Sequence, residues 1–177
     1  SEFSIGADTA LNSIVEAADR IKRSAVANRR CFLVEVMGDR CGYLAFMSGL
    51  ATGAEKVYLH EDPLTAQRLL EDLRELKTSF EKGRTVSLVI VNEKAHALYN
   101  TGVLRALFEE EGSSHFDVRQ AILGHLQQGG DPTPFDRTLA ARFARAAVDH
   151  LRQALEQGSD LCGFLGLLPQ GLKVWDF

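Results

Sequence analysis

The sequence predicts an α/β fold in which a mainly parallel sheet is flanked by helices and followed by a C-terminal hairpin. Short apolar runs rich in Val, Leu and Ile alternate along the chain with longer segments whose apolar residues recur every three or four positions. The first pattern is typical of strands buried on both faces, and the second of amphipathic helices. Strands that alternate with such helices pair in parallel through right-handed crossovers.

Four apolar runs are the predicted strands of this sheet, at 31–37, 56–59, 86–91 and 118–123. Gly38 and Gly42 interrupt the chain after the first run, before a short segment over Tyr43–Leu50 that Gly53 is placed to end. At the C-terminus, apolar stretches at 161–168 and 172–177 surround Pro169-Gln170-Gly171 and predict the hairpin.

The amphipathic segments have their own start and stop signals, which place the longer helices between the strands. We expect a first helix capped by Asp8 or Thr9, a second opened by Asp62 and Pro63, a third capped by Thr101, and a fourth over Thr138–Gln157 that Gly158 ends. No repeat or low-complexity linker divides the sequence, and the chain is interpreted as a single domain over residues 1–177.

Composition narrows the class of protein. A chain of 177 residues with 45% hydrophobic and 25% charged residues is long enough, and apolar enough, for one folded domain with a sizeable core. The formal net charge of -4 argues against a general nucleic-acid or anionic-membrane surface, so an anion site must be built locally. We therefore expect no nucleic-acid partner and no membrane partner.

Cysteine usage and the N-terminus indicate a cytoplasmic setting. Cys31, Cys41 and Cys162 are odd in number and far apart, which favours neither a disulfide framework nor a metal-binding pair. No apolar run approaches the roughly 20 residues that span a bilayer, and no signal-peptide core is present at the N-terminus. Ser1-Glu2-Phe3 is interpreted as a cloning remnant, because a common restriction site encodes Glu-Phe.

The most specific motif lies at the end of the fourth predicted strand. Residues 123–130 are Leu-Gly-His-Leu-Gln-Gln-Gly-Gly, and 131–137 continue as Asp-Pro-Thr-Pro-Phe-Asp-Arg. A strand that ends in such a loop presents backbone N–H groups, a histidine and amides to one spot, and a helix starts at the Pro-rich stretch. These groups can bind a phosphate or sugar hydroxyls, so the motif favours a ligand-binding loop over a plain turn.

Two other predicted strands end in chemically useful residues. Met37-Gly38-Asp39 follows the first strand and Glu93 follows the third. Ligands of open parallel sheets gather at the carboxyl ends of the strands. The pattern alone therefore indicates a binding site at this edge, built from Met37, Glu93 and the Gly124–Gly130 loop.

Together with Glu-Val-Met-Gly-Asp-Arg-Cys-Gly-Tyr-Leu-Ala at 35–45 and Ser-Ile-Gly-Ala-Asp-Thr-Ala-Leu-Asn at 4–12, this motif resembles the C-terminal, regulatory half of eukaryotic-type ATP-dependent 6-phosphofructokinases. The resemblance runs through nearly the whole chain. It implies a piece of a glycolytic enzyme that converts fructose 6-phosphate and ATP to fructose 1,6-bisphosphate and ADP. ATP and Mg²⁺ would be cofactors of that parent enzyme.

The family's sugar-phosphate contacts match positions of this sequence. By resemblance, Glu93 accepts sugar hydroxyls, while Arg30 and Arg119 reach from one subunit into the neighbour's site to hold a phosphate. The expected sugar-phosphate or effector site consists of Arg30, Met37, Gly38, Asp39, Glu93, Arg119, His125 and Gln128. Taken one at a time, the arginines are typical of solvated surface, Glu93 of a surface carboxylate and His125 of a structural histidine; the motif is what favours a site.

Two positions distinguish the halves of the family. The catalytic half carries Arg where this chain has Asp39 and Gln128. Gln128 matches the regulatory half, whose site resembles one adapted to the activator fructose 2,6-bisphosphate. Asp39 departs from both halves, and an anion beside a phosphate weakens binding unless only its backbone N–H faces the ligand.

The family's nucleotide loop and its Thr-Ile-Asp-Asn-Asp base segment are absent from the 177 residues. Phosphoryl transfer needs positioned ATP, Mg²⁺ and a base, so we expect no catalytic residue, no cofactor and no activity in this chain alone. The remainder of a phosphofructokinase chain and neighbouring subunits are its expected partners. A non-catalytic interaction module and a pyrophosphate-dependent enzyme remain as alternatives.

Scans for other chemistry add little. The chain contains no P-loop, dinucleotide fingerprint, His-Glu-x-x-His zinc motif or Gly-x-Ser-x-Gly motif. His60, Glu61 and Asp62 form the one local cluster of acids and a base, and a solvated loop is the favoured interpretation because adjacent strand residues face opposite sides. No metal site is predicted.

Overall fold

A computed structural model of the chain describes residues 4–25, 29–159, 162–168 and 171–176. The proposed cloning remnant at 1–3 and the predicted turn residues Pro169 and Gln170 lie outside these ranges. The chain divides into two compact units: Thr9–Gly130, and Asp131–Phe177 with the described part of Glu2–Asp8. One domain over residues 1–177 stays a prediction.

The first unit contains the predicted parallel sheet, with strand order β2-β3-β1-β4. All three strand pairs are parallel; Arg30 lies beside Val86 and Asp117, and Val36 lies beside Asn92. The fold class is thereby confirmed. The elements, in chain order, are α1 (Ala7–Arg23), β1 (Arg30–Val36), α2 (Tyr43–Thr52), β2 (Lys56–Tyr58), α3 (Ala66–Glu81), β3 (Val86–Asn92), α4 (Thr101–Gly112) and β4 (Asp117–Ile122).

Helices cover both faces of the sheet, which explains why the strands are almost wholly apolar. Alternate residues of β1 point to opposite sides: Leu33 packs with α3 and α4, whereas Val34 packs with the α1 and α2 side. Both are fully buried. This double coverage leaves the strand ends as the places where polar groups of the sheet region can meet solvent.

Three helices, α1, α3 and α4, depart from their predicted starts: α1 begins at Ala7, ahead of both Asp8 and Thr9. The α3 helix begins at Ala66, because the Thr65 hydroxyl accepts the Arg68 N–H, and not at Asp62 or Pro63. Asn100, one residue before Thr101, caps α4. The long helix α5 begins at Pro134, within the Pro-rich stretch where the motif predicts a helix start and four residues before Thr138, since the Thr133 side chain accepts the Asp136 N–H. The starts of α3, α4 and α5 each follow a residue whose side-chain oxygen accepts one of the first free N–H groups of the helix.

The second unit consists mainly of α5 (Pro134–Gln157) and an antiparallel hairpin, β5 (Gly163–Leu168) with β6 (Gly171–Asp176). Gly158 ends α5 in the left-handed conformation, as predicted. The buried Asp136 carboxylate accepts the Gly6 N–H at 2.8 Å, which attaches the segment before Thr9 to this unit. Among the described helices, none is long and apolar enough to cross a membrane.

Candidate functional site

The carboxyl ends of β1, β3 and β4 meet at one edge of the sheet. Met37 follows β1, Glu93 follows β3, and a 3-10 turn over Gly124–Gln128 follows β4 after Leu123. Two hydrogen bonds join them: the Met37 N–H donates to Gln127 Oε1, and the Gly38 N–H donates to Glu93 Oε1, each at 3.0 Å. The structure thus brings together residues that are 55 and 90 positions apart in the chain.

Met37–Gly42, which we call the β1–α2 loop, is also held from β3. Asn92 is 1% exposed, and its Nδ2 donates to the carbonyls of Gly38 at 3.0 Å and Cys41 at 3.1 Å. The Asn92 Oδ1 accepts the Lys94 N–H at 2.9 Å, so all the polar atoms of this amide are used. A Cβ atom at Gly38 would lie 2.4 Å from both Asn92 Nδ2 and the Cys41 carbonyl oxygen. Glycine is therefore required here by close approach.

The other end of the β1–α2 loop is held from β2. The Gly42 N–H, at the start of α2, donates to both Glu61 carboxylate oxygens at 2.8 and 2.9 Å. This bond lowers the pKa of Glu61, because it stabilises the charged carboxylate. The solvated-loop interpretation of Glu61 was therefore incomplete: the side chain is exposed, yet its carboxylate accepts a backbone N–H at the start of α2.

His125 and Gln128 lie in the 3-10 turn and are exposed, on either side of the buried Gln127. Gly124 enters this turn with a φ of 48°, a left-handed conformation that glycine adopts without strain. Asp39 and Arg40 are exposed in the β1–α2 loop. Six of the eight predicted site residues therefore share this edge: Met37, Gly38, Asp39, Glu93, His125 and Gln128.

Arg30 and Arg119 lie elsewhere. Arg30 is the first residue of β1, at the amino edge, and Arg119 lies beside Phe32 in the amino half of β4. Seven residues of strand separate Arg30 from Met37, roughly 20 Å at the rise of a β-strand. The Arg119 side chain is 52% exposed, donates to the Val118 carbonyl and lies 3.8 Å from the Asp117 carboxylate. One copy of the chain does not bring these arginines to the carboxyl-edge cluster.

A cleft of about 400 Å³ lies beside this cluster, between α1 and the 3-10 turn. Its lining is mixed: Ala17, Ile21 and Leu126 are apolar, while Glu16 and Arg20 form an ion pair at its rim. Gln127 lines the cleft and also accepts the Met37 N–H. Within the described ranges, no group of three or more His, Cys, Asp or Glu side chains could hold a metal ion.

Sequence reasoning missed three residues of this edge: Gln127, Asn92 and Glu61. Their partners in the β1–α2 loop are backbone groups at least 19 positions away, so no local spacing indicates them. A weak signal existed for two of them, because Asn92 precedes the predicted Glu93 and Gln127 is central to the glycine-rich motif.

Comparison with known proteins identifies the family of the chain. The family model described as phosphofructokinase matches residues 1–151. The chain is 43% identical over 174 residues to an ATP-dependent 6-phosphofructokinase of Dictyostelium discoideum, covering 97% of the chain and 21% of that protein. It is 44% identical over 162 residues to the human muscle-type ATP-dependent 6-phosphofructokinase, covering 89% of the chain and 20% of that protein. The chain thus spans about a fifth of the length of these relatives.

Solved structures give the same result. Phosphofructokinase from Saccharomyces cerevisiae superposes with a TM-score of 0.89 at 35% identity, over 99% of this chain and 24% of that one. A pyrophosphate-dependent phosphofructokinase from Marinobacter aquaeolei, 20% identical with a TM-score of 0.65 over 98% of this chain and 45% of that one, shares the fold. The family match and the relatives together show that this chain belongs to the phosphofructokinase family.

Proposed function

We propose that the chain is the sugar-phosphate-binding, regulatory-type part of an ATP-dependent 6-phosphofructokinase. In this role it binds an allosteric sugar bisphosphate, such as fructose 2,6-bisphosphate, and contacts the rest of the enzyme and its neighbouring subunits. The observation that carries the proposal is the meeting of Met37, Gly38, Glu93, His125 and Gln128 at one sheet edge. These residues lie in segments that are far apart in the sequence, and only the folded sheet brings them to the same edge.

Glu93 is suited to sugar hydroxyls. One carboxylate oxygen accepts the Gly38 N–H, and a carboxylate has further acceptor sites on its second oxygen. The bond to Gly38 also fixes the orientation of the carboxylate. A hydroxyl of the sugar would donate to the second carboxylate oxygen, and the half-buried position of Glu93 would strengthen that bond relative to one in bulk water.

His125 and Gln128 are suited to a phosphate group at the same edge. Both are exposed, and neither side chain has a hydrogen-bond partner among the residues that the structure describes, so their N–H groups are available to a ligand. Gln128 donates without a charge, where the catalytic half of the family has a guanidinium. A neutral donor binds a phosphate without the additional cation that phosphoryl transfer uses, which supports effector binding over turnover.

Arg30 and Arg119 would complete the site from a second copy of the chain. Their separation from Met37 in one copy supports a shared site, because a phosphate at the carboxyl edge of one chain needs cations from elsewhere. Guanidinium groups hold phosphate through paired, charge-assisted hydrogen bonds. The half-exposed Arg119 side chain donates to the Val118 carbonyl and approaches Asp117 no closer than 3.8 Å, so other N–H groups of its guanidinium are available for this contact.

Calorimetric titration with fructose 2,6-bisphosphate tests the proposal. Arg119→Ala should weaken binding about 10- to 150-fold, the equivalent of one charge-assisted contact of roughly 1.5–3 kcal/mol. The matched control is Arg142→Ala, which removes an exposed guanidinium from α5. Higher salt should also weaken binding of the parent chain, since phosphate contacts are partly screened. Equal affinities of the parent and Arg119→Ala would contradict the assignment.

A further inference from the structure

The β1–α2 loop is hydrogen-bonded to side chains at or just after the ends of the three other strands of the sheet, β2, β3 and β4. Glu61, which follows β2, accepts the Gly42 N–H; Asn92 and Glu93, at the end of β3, bond Gly38; and Gln127, which follows β4, accepts the Met37 N–H. A solvated connection would not need four side chains from three directions. The attachment indicates that the conformation of this loop matters to what it binds.

Two of the four side chains are almost fully buried: Asn92 is 1% exposed and Gln127 is 2% exposed. Both polar atoms of the Asn92 amide are hydrogen-bonded within the protein, as a buried polar group requires, since an unpaired one in the interior is costly. Asn92 therefore influences a bound molecule through the loop backbone that it holds. Gln127 also lines the neighbouring cleft, and it acts on the loop through the Met37 N–H.

The hydrogen bonds of Gln127, Glu93 and Glu61 divide the loop N–H groups into two sets. Those of Met37, Gly38 and Gly42 donate to protein side chains. In the described part of the chain, the N–H groups of Asp39, Arg40 and Cys41 have no such partner. Arg40 has a φ of 51°, and a left-handed residue between neighbours is the arrangement in which successive N–H groups form a concavity that binds anions.

We infer that Asn92 and Gln127 are positioning residues of the candidate sugar-phosphate site, an inference that rests on the proposed function. Gln127 holds the Met37 N–H toward the protein, and Asn92 holds the carbonyls of Gly38 and Cys41. In the loop conformation fixed in this way, the N–H groups of Asp39–Cys41 face a phosphate. This arrangement reconciles Asp39 with an anion site. The phosphate meets its backbone N–H, while the carboxylate is exposed to solvent.

The first experiment uses the unsubstituted 177-residue chain and inorganic phosphate as the probe. In a ¹⁵N–¹H spectrum, phosphate should shift the amide signals of Asp39, Arg40 and Cys41 more than those of Met37 and Gly38. Chloride at equal ionic strength is the control. Phosphate shifts at Met37 and Gly38, or none in the loop, would overturn the inference, and this measurement does not depend on any variant folding.

The second experiment releases the loop by substitution. Gln127→Met removes the acceptor of the Met37 N–H, and Asn92→Asp replaces the NH₂ that binds two carbonyls by an oxygen. Amide exchange at Met37 in the first variant should accelerate about tenfold, as for loss of one hydrogen bond. Gln127→Glu keeps an acceptor oxygen and should restore slow exchange. Gln153→Met and Asn12→Asp, the same changes at exposed positions, are the controls.

Affinity for fructose 2,6-bisphosphate then separates the inference from the proposed function. If the parent chain binds it and Gln127→Met binds about tenfold more weakly at an unchanged unfolding midpoint, both are supported. If Gln127→Met and Asn92→Asp bind as tightly as the parent, the positioning role is wrong. If the parent does not bind the bisphosphate while phosphate still shifts Asp39–Cys41, the proposed function fails and the anion-binding loop stands.

Discussion

Replacing Gly38 by alanine should destabilise the β1–α2 loop more than any other single methyl group added there. The new Cβ would lie 2.4 Å from Asn92 Nδ2 and 2.4 Å from the Cys41 carbonyl oxygen. Neither atom can move cheaply, because Asn92 is fixed by three hydrogen bonds and the oxygen belongs to the backbone. Overpacking costs about 1–3 kcal/mol, and each displaced Asn92 bond adds about 0.5–1.5 kcal/mol.

The expected loss is therefore about 2–5 kcal/mol in the free energy of unfolding. Urea denaturation followed by circular dichroism measures it, provided that the dependence on denaturant keeps the same slope in both proteins. Gly129→Ala is the control for stability, because its nearest contact would be an ordinary 3.7 Å to the Leu126 carbonyl oxygen. An unchanged midpoint for Gly38→Ala would refute the argument that Asn92 fixes the loop.

Three further outcomes are expected. Because the folded-state pKa of Glu61 is lowered, the carboxylate contributes its full stabilisation above the unfolded pKa and loses it as pH falls through the folded pKa. In urea titrations, the stability difference between the parent and Glu61→Gln should therefore be larger at pH 7 than at pH 3. A difference that does not change with pH would contradict this. Tyr58→Phe should cost about 0.5–1.5 kcal/mol in thermal or urea unfolding, because the buried Tyr58 hydroxyl donates to Asp72 at 3.1 Å; no cost would show that this bond contributes nothing. The chain should self-associate through an exposed apolar stripe of α5, formed by Val148, Leu151 and Leu155. Sedimentation should show oligomers that grow with protein concentration and that Leu155→Glu reduces. A monomer at high concentration would contradict such association.

Sequence patterns were sufficient for the order of the strands and helices along the chain and for the edge at which the candidate site is proposed. Doubly buried parallel strands must be apolar along their whole length, and helices that cover them must be apolar on one face, so both signals are local in the chain. The prediction that ligand groups follow β1, β3 and β4 rests on the same locality, because it needs only the ends of the strands. Met37, Glu93 and the Gly124 turn were found in this way.

Tertiary structure decided what these residues do. The order β2-β3-β1-β4 places Gln127 beside Met37 and Asn92 beside Gly38, and both bonds join a side chain to backbone across more than 50 residues. A side chain that bonds distant backbone leaves no periodicity to detect. The position of Arg119 beside Phe32, away from the carboxyl edge, likewise follows from the register of β4 on β1, which only the assembled sheet determines.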